Sequence, residues 1–276
     1  MKELKTRIIT ATVILAVFFL AQYFAAQLPF FLTLLTMLAW GAALFEFLRI
    51  VRTTISSQAS YAALIFGVVS GIAALFINSS LLSFATLAPN ASLLLIVFSF
   101  VVIVLAAGRS RSLQEASNAV FLSGLGIALF GLSGISLLSI VLHPTQNSAL
   151  SLWLVGLVAV TDIAAYTFGK LIGGPKLAPI ISPGKTVSGA LGATAVTVFF
   201  APWLAQLVGV SAPHLQSFAV ALMLTCAAQT GDLLQSLIKR IANVKDSGTL
   251  LPGHGGVFDR IDGLLAAAAI FYFLMY

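Results

Sequence analysis

Charge is what this sequence has least of. Asp, Glu, Lys and Arg make up only 8% of 276 residues against 60% hydrophobic, and the mean hydropathy is +1.08. A soluble helical protein would have too few charges here to cover its surface, whereas lipid-facing helices need none; a soluble class is excluded. Cysteine is reduced to Cys226, which excludes an intrachain disulfide and, inside an apolar run, reads as a small packing residue. No second His or Cys stands at ligand spacing from His254, so a zinc site of the usual pattern is excluded, and His254 reads first as a loop hydrogen-bonding residue. A Walker-type glycine loop is missing, as is a basic stripe interleaved with aromatics. The net charge of +6 and pI near 9.7 therefore do not point to nucleic acid.

What is present is a series of apolar runs long enough to cross a bilayer. Nine read as transmembrane helices: roughly 8–25, 29–50, 61–78, 92–107, 118–142, 149–171, 186–209, 215–238 and 257–276. The expected fold is all-α, a polytopic integral membrane protein with about nine transmembrane helices and no soluble domain. Helices 1–4 fall in residues 1–117, and helices 5–9, which carry the polar motifs, in 118–276. The first run follows Lys2, Lys5 and Arg7 as a signal peptide would, but "AQYFAAQLPF" is a poor cleavage site, so a retained helix is expected. Glycines in "SGLGIALFGLSG" leave room for a tilted, broken or partly re-entrant fifth helix. Gly67 and Gly71 form a small-residue pair suited to helix packing within or between chains.

Assigning alternate loops to opposite sides places every Lys and Arg on the side of the N-terminus. The positive-inside rule then predicts a cytoplasmic N-terminus and an outer C-terminus in a plasma (inner) membrane. All eight acids, Glu3, Glu46, Glu115, Asp162, Asp232, Asp246, Asp259 and Asp262, fall on or near that same side, so the active-site cavity is expected at the cytoplasmic face.

Three polar stretches stand there. In "TDIAAYTFGK", Asp162, Tyr166 and Lys170 share one helical face, with a purely structural aspartate at even odds. In "GGPKLAPIISPGKTVSG", Lys176, Ser182, Lys185 and Thr186 offer donors ahead of a helix N-terminus, an arrangement that suits a phosphate oxygen; an ordinary helix connection is the blander reading. In "QTGDLLQSLIKR", Gln229, Asp232, Ser236, Lys239 and Arg240 fall close to one face, and the chain runs on into "KDSGTLLPGHGGVFDRID", which holds three of the eight acids. Lys245 and Asp246 open that loop, Gly255 and Gly256 lend it bends and exposed N–H groups, and Asp259 and Asp262 lie at i and i+3 of the next helix. Carboxylates from two helices beside Lys and Arg match what a Mg²⁺-nucleotide site requires. First-turn acids and an Asp259–Arg260 structural pair remain the plain alternative.

From Ser236 to Asp262 the segment "SLIKRIANVKDSGTLLPGHGGVFDRID" resembles the signature of the phosphatidate cytidylyltransferases, or CDP-diacylglycerol synthases: S-x-x-K-R, then K-D-x-G, then L-P-x-H-G-G-x-x-D-R-x-D. "TDIAAYTFGK" and "SPGKT" are similar to further family segments, but Ser188 stands where the family often has glutamate. The resemblance implies transfer of a cytidylyl group from CTP to phosphatidic acid, releasing pyrophosphate, by attack of the lipid phosphate on the α-phosphorus. It also implies Mg²⁺, with room for a second cation, divalent or K⁺, a homodimer, and contact with membrane lipids. Asp232 and Asp259 are the expected metal ligands, with Asp246 and Asp262 in support. Lys239, Arg240, Lys245 and Arg260 are expected to hold the triphosphate or organise the acids, and His254 to donate or position. Ser182, Lys185 and Thr186, with Asp162, Gly255 and Gly256, are expected to bind substrate. A CTP-dependent lipid or polyprenol kinase is the nearest alternative, and an ion-coupled transporter the more distant one.

Overall fold

The computed structural model describes residues 2–24, 29–55, 58–78, 91–143, 146–211 and 218–275. Part of "AQYFAAQLPF" and the first residues of the expected eighth span lie outside the described residues. Among those described, nine α-helices follow one another. They are α1 (Lys2–Phe24), α2 (Pro29–Thr53), α3 (Gln58–Asn78), α4 (Ala91–Ala107), α5 (Leu113–Val141), α6 (Asn147–Leu171), α7 (Val187–Leu207), α8 (Phe218–Ile241) and α9 (Phe258–Met275). Four segments, Phe30–Thr53, Leu113–Val141, Ser148–Leu171 and Val187–Leu207, are long and apolar enough to cross a membrane. Large apolar side chains stand exposed on them, Leu191 at 67% and Leu207 at 82%. An all-α membrane protein accounts for such exposure, because lipid rather than water meets those faces.

Two expectations are corrected. The fifth helix is neither broken nor re-entrant: α5 runs unbroken for 29 residues, capped by Ser112, whose side chain accepts from Glu115 N. Gly126 is a packing site instead, since a Cβ there would strike the Phe47 ring, whereas Gly124 faces open space. The 173–189 segment is more than an ordinary helix connection: it contains an antiparallel hairpin, β1 (Lys176–Ala178) with β2 (Ser182–Thr186), pairing Lys176 with Thr186. Thr186 then caps α7, accepting from Gly189 N at 3.1 Å, which sets the direction in which α7 leaves the hairpin.

Helix α5 lies at the centre, against α2, α3 and α9. Phe47, Phe130 and Phe258, from α2, α5 and α9, are fully buried and meet ring to ring with centroids 5.2 to 6.1 Å apart. Trp153 of α6 packs on Phe271 of α9 and donates Nε1–H to the Ala201 carbonyl of α7 at 3.1 Å. Gly67 and Gly71 serve packing within the chain, facing Ile103 and Ile127. Cys226 is exposed rather than a core filler.

The close contact of α8 with α9 depends on Gly231. A Cβ there would come within 2.5 Å of Ala266 Cβ and 2.8 Å of the Asp262 carbonyl. Gly231→Ala is expected to push the two helices apart at the point where they carry Asp232 and Asp262, costing about 1–3 kcal/mol as overpacking does. A lowered thermal midpoint of the detergent-solubilised protein would register it, and an unchanged midpoint would refute it.

Candidate active site

Helix α8 ends in a left-handed turn at Asn243 (φ 55°), where Val244 N donates to Lys239 O at 2.9 Å, so the chain reverses immediately after its two terminal cations. The loop that follows folds on itself: Leu251 N donates to Gly255 O and His254 N to Leu251 O, both at 2.9 Å, with Gly253 and Gly255 at φ 75° and 84°. Those backbone angles favour glycine, and they bring the loop back over the start of α9.

The result is a cavity of about 680 Å³ bounded by α6, the hairpin, α8, the loop and α9. Asp162 enters it from α6, Asp232 from α8, and Asp259 and Asp262 from α9; Lys185, Thr186, Lys239, Asp246 and Arg260 also face it. Residues 70 to 100 apart in sequence are thus brought to one chamber. Tyr166 and Lys170 line its α6 side, with the Lys170 ammonium 5.7 Å from the Tyr166 ring centroid.

Within the chamber the four aspartates are held differently. Asp232 Oδ2 pairs with Lys185 Nζ at 2.7 Å, both side chains partly open, and Lys185 also reaches the Gln229 carbonyl. Asp259 is far more enclosed and accepts five hydrogen bonds. Its Oδ1 takes Gln235 Nε2 and Lys239 Nζ, both at 2.8 Å; its Oδ2 takes Ser247 N at 2.8 Å, Ser247 Oγ at 3.0 Å and Gly256 N at 3.1 Å. Asp262 Oδ1 accepts from Gly263 N at 2.7 Å. The Asp259–Arg260 structural pair, the plain alternative, does not form: Lys239 takes Asp259 and Arg260 turns to the His254 carbonyl at 2.7 and 3.1 Å.

Several residues singled out from sequence stand elsewhere. Arg240 is exposed and leans on the Ile181 carbonyl at 3.3 Å, Lys245 is exposed outside the cavity, and Ser182 sits in the hairpin ladder opposite Ala178. Arg240 and Lys245 make no ion pair with these acids among the described residues. His254 is engaged through its backbone, its N–H donating to the Leu251 carbonyl and its carbonyl accepting from Arg260, and its Nδ1 is buried without a hydrogen-bond partner among the described residues. On α8 it is Gln235, buried at 2%, rather than Ser236, that faces the acids. Gly255 and Gly256 line the loop over Asp259, and Gly256 supplies one of its donors. Ser188 stays out of the chamber: its hydroxyl donates to the Gly173 carbonyl and lies 3.1 Å from Thr186 Oγ1, tying the end of α6 to the start of α7.

Among the described residues no three carboxylate, imidazole or thiol groups form a ready-made metal cage. The donor set does fit a hard ion of the Mg²⁺ type, which takes one or two protein carboxylates and completes its shell with phosphate and water. Asp232 is the most available ligand, since the lone pairs of Asp259 are already engaged by five donors.

Aspartates, lysines and an arginine from α6, the hairpin, α8 and α9 are thus gathered in one chamber of a helical membrane protein. The chain belongs to the cytidylyltransferase family, whose model matches residues 5–276. Curated relatives include the phosphatidate cytidylyltransferase of Brucella suis, 53% identical over 121 residues, 44% of each chain. That of Bacillus subtilis is 41% identical over 115 residues, covering 42% of this chain and 43% of the relative. That of Mycobacterium leprae is 37% identical over 172 residues, covering 58% and 50%. The chain thus spans about half the length of the curated relatives it matches.

Two residues of the site escaped the sequence reading. Gln235 lay one position from the face assigned to the motif, and Ser247 sat unremarked between Asp246 and Gly248. Their signal was visible only as polar residues beside the signature.

Proposed function

We propose that the chain transfers the cytidylyl group of CTP to phosphatidic acid, giving CDP-diacylglycerol and pyrophosphate. The observation that carries the proposal is the convergence of Asp162, Asp232 and Asp262 with Lys185 in one chamber of a membrane protein of this family. The relatives' names support it. So does an apolar hollow of about 470 Å³ farther along α6 and α7, lined by Leu157, Phe200, Trp203 and Leu207, which suits the acyl chains of a lipid reactant.

A phosphate monoester is already largely dianionic near neutral pH, its second pKa being about 6, so no general base is required for attack on the α-phosphorus. Catalysis then rests on alignment and charge neutralisation. Lys185 and Arg260 would attract phosphate oxygens, Lys239 keeps Asp259 oriented, and Asp232, with Asp262 or Asp259, would hold Mg²⁺. The ion would neutralise phosphate charge as pyrophosphate leaves. A cytoplasmic chamber, nine crossings, an inner-membrane location and a homodimer belong to the same proposal; they rest on the distribution of basic residues and on family resemblance.

The test is product analysis with purified protein in micelles supplied with CTP, phosphatidic acid and Mg²⁺. CDP-diacylglycerol and pyrophosphate in equal amounts are expected. CDP with a newly phosphorylated lipid would establish the kinase instead. Lys185→Met should lower kcat by roughly 10- to 100-fold, the loss typical of one charge-assisted phosphate contact; full activity would remove Lys185 from the site.

A further inference from the structure

Among the described residues, one acid outside every quoted motif is deeply buried. Glu46, on α2, is 2% exposed, and no Lys, Arg or His pairs with it among the described residues. A carboxylate buried in this way is costly unless donors surround it. Three do: Oε2 accepts from Ser247 Oγ at 2.8 Å and Phe258 N at 2.9 Å, and Oε1 from Val257 N at 3.1 Å. Val257 and Phe258 carry backbone N–H groups at the start of α9, groups that have no partner within the helix and that favour a negative charge.

The contact continues to the active site. Ser247 Oγ lies 3.0 Å from Asp259 Oδ2 as well, so a single hydroxyl proton stands between two carboxylates, while Ser247 N donates to that same Asp259 oxygen. Space tells the same story. A Cβ at Gly248 would come within 2.5 Å of Glu46 Oε1, and one at Gly256 would collide with both Ser247 Oγ and Glu46 Oε2. Two glycines of the loop are therefore small because the Glu46 carboxylate occupies the volume beside them, more than 200 residues away in sequence. Phe47, next in the chain, anchors this turn of α2 in the aromatic cluster with Phe130 and Phe258, which limits how far Glu46 can move.

We infer that Glu46 is a positioning residue: it clamps the 247–258 segment so that Ser247 and Gly256 present their N–H groups to Asp259. It touches no cavity-lining acid itself and acts through Ser247 and the α9 N-terminus. The inference rests on the proposed reaction only for its activity readout. Glutamine in its place keeps the shape but turns an amide N–H toward a backbone or hydroxyl donor, leaving at least one donor without an acceptor.

The experiment compares purified full-length wild type, Glu46→Gln, Ser247→Ala and the double variant. It measures kcat and KM for CTP, and the rate of trypsin cleavage after Lys245. Glu46→Gln should elute as wild type does on size exclusion. Its kcat should fall by roughly 10- to 100-fold, as when a buried donor loses its partner, with KM for CTP changed by less than about threefold. Cleavage after Lys245 should quicken by about tenfold or more, because proteolysis reports local opening. The double variant should be no worse than Glu46→Gln alone, since both changes cut one chain of contacts. Unchanged cleavage in Glu46→Gln, or effects that multiply in the double variant, would overturn the inference. If Glu46→Gln does not fold, Ser247→Ala decides: it leaves the bonds to Val257 and Phe258 in place and should still speed cleavage, and wild-type behaviour overturns the clamp. A wild type that converts no CTP would sink the proposed reaction while the cleavage comparison still tests Glu46.

Discussion

Asp259→Asn is expected to abolish product formation, with a loss of roughly 10³-fold, while the protein remains folded in the membrane. The reason lies in the number of donors the carboxylate serves. Gln235 and Lys239 address one oxygen; Ser247, through both N–H and Oγ, and Gly256 address the other. An asparagine must set its amide against one of these groups. With Nδ2 toward Lys239 and Gln235, an ammonium and an amide face another donor. With Nδ2 toward the loop, two backbone N–H groups lose their acceptor, and each buried loss costs about 1–3 kcal/mol. Either orientation loosens the loop on α9 and frees the Lys239 ammonium from its partner at 2.8 Å. The helices themselves should hold, because the aromatic cluster and the α8–α9 contact at Gly231 do not involve Asp259. Product assay beside size exclusion checks both halves, and activity within tenfold of wild type would remove Asp259 from the chemistry.

Asp232→Asn is expected to cost as much, roughly 10²–10³-fold, by a different route. Asp232 has one strong partner, Lys185 at 2.7 Å, and is more open than Asp259, so the substitution should leave local structure and thermal midpoint nearly unchanged. What it removes is charge in the part of the chamber where Asp162 and Asp262 also face. Neutral amide oxygen is a poorer ligand for a hard divalent ion than carboxylate. Rate measured against Mg²⁺ concentration separates the roles: a ligand raises the Mg²⁺ requirement, whereas a residue that only orients Lys185 lowers kcat at every Mg²⁺ concentration. Wild-type rates at low Mg²⁺ would exclude Asp232 as a ligand.

The two aspartates were indistinguishable in the sequence, where both stand in polar stretches of apolar helices and both were expected to hold metal. Their difference arises from neighbours. Helical spacing ranks residues along one face, but it does not say that Gln235 rather than Ser236 turns to the acids, nor that Arg240 swings outward to the Ile181 carbonyl. The alternative pairing of Arg260 with Asp259 rested on adjacency alone, and the loop carbonyl of His254 captured Arg260 instead. The hairpin at 176–186 was missed because its strands are only three and five residues long, the second contains proline and glycine, and neither shows a run of alternating apolar and polar residues.

The sequence by itself determined the class of molecule. Apolar runs of bilayer length and a scarcity of charge leave helices in lipid as the physically permitted outcome, since backbone groups there must be satisfied within each segment. It also led to the expectation that the acids and bases gather toward one side, because a charge placed in mid-bilayer is too costly to scatter, and Asp162, Asp232, Asp259 and Asp262 do share one chamber. Only the tertiary structure decided which charges meet. The pairing of Lys239 with Asp259 and of Lys185 with Asp232, and the reach of Glu46 from α2 to the start of α9, depend on where helices distant in sequence pack. Hydropathy is a sum over neighbours along the chain; a hydrogen bond is a contact of two atoms near 3 Å, and it exists only once the helices that carry them have come together.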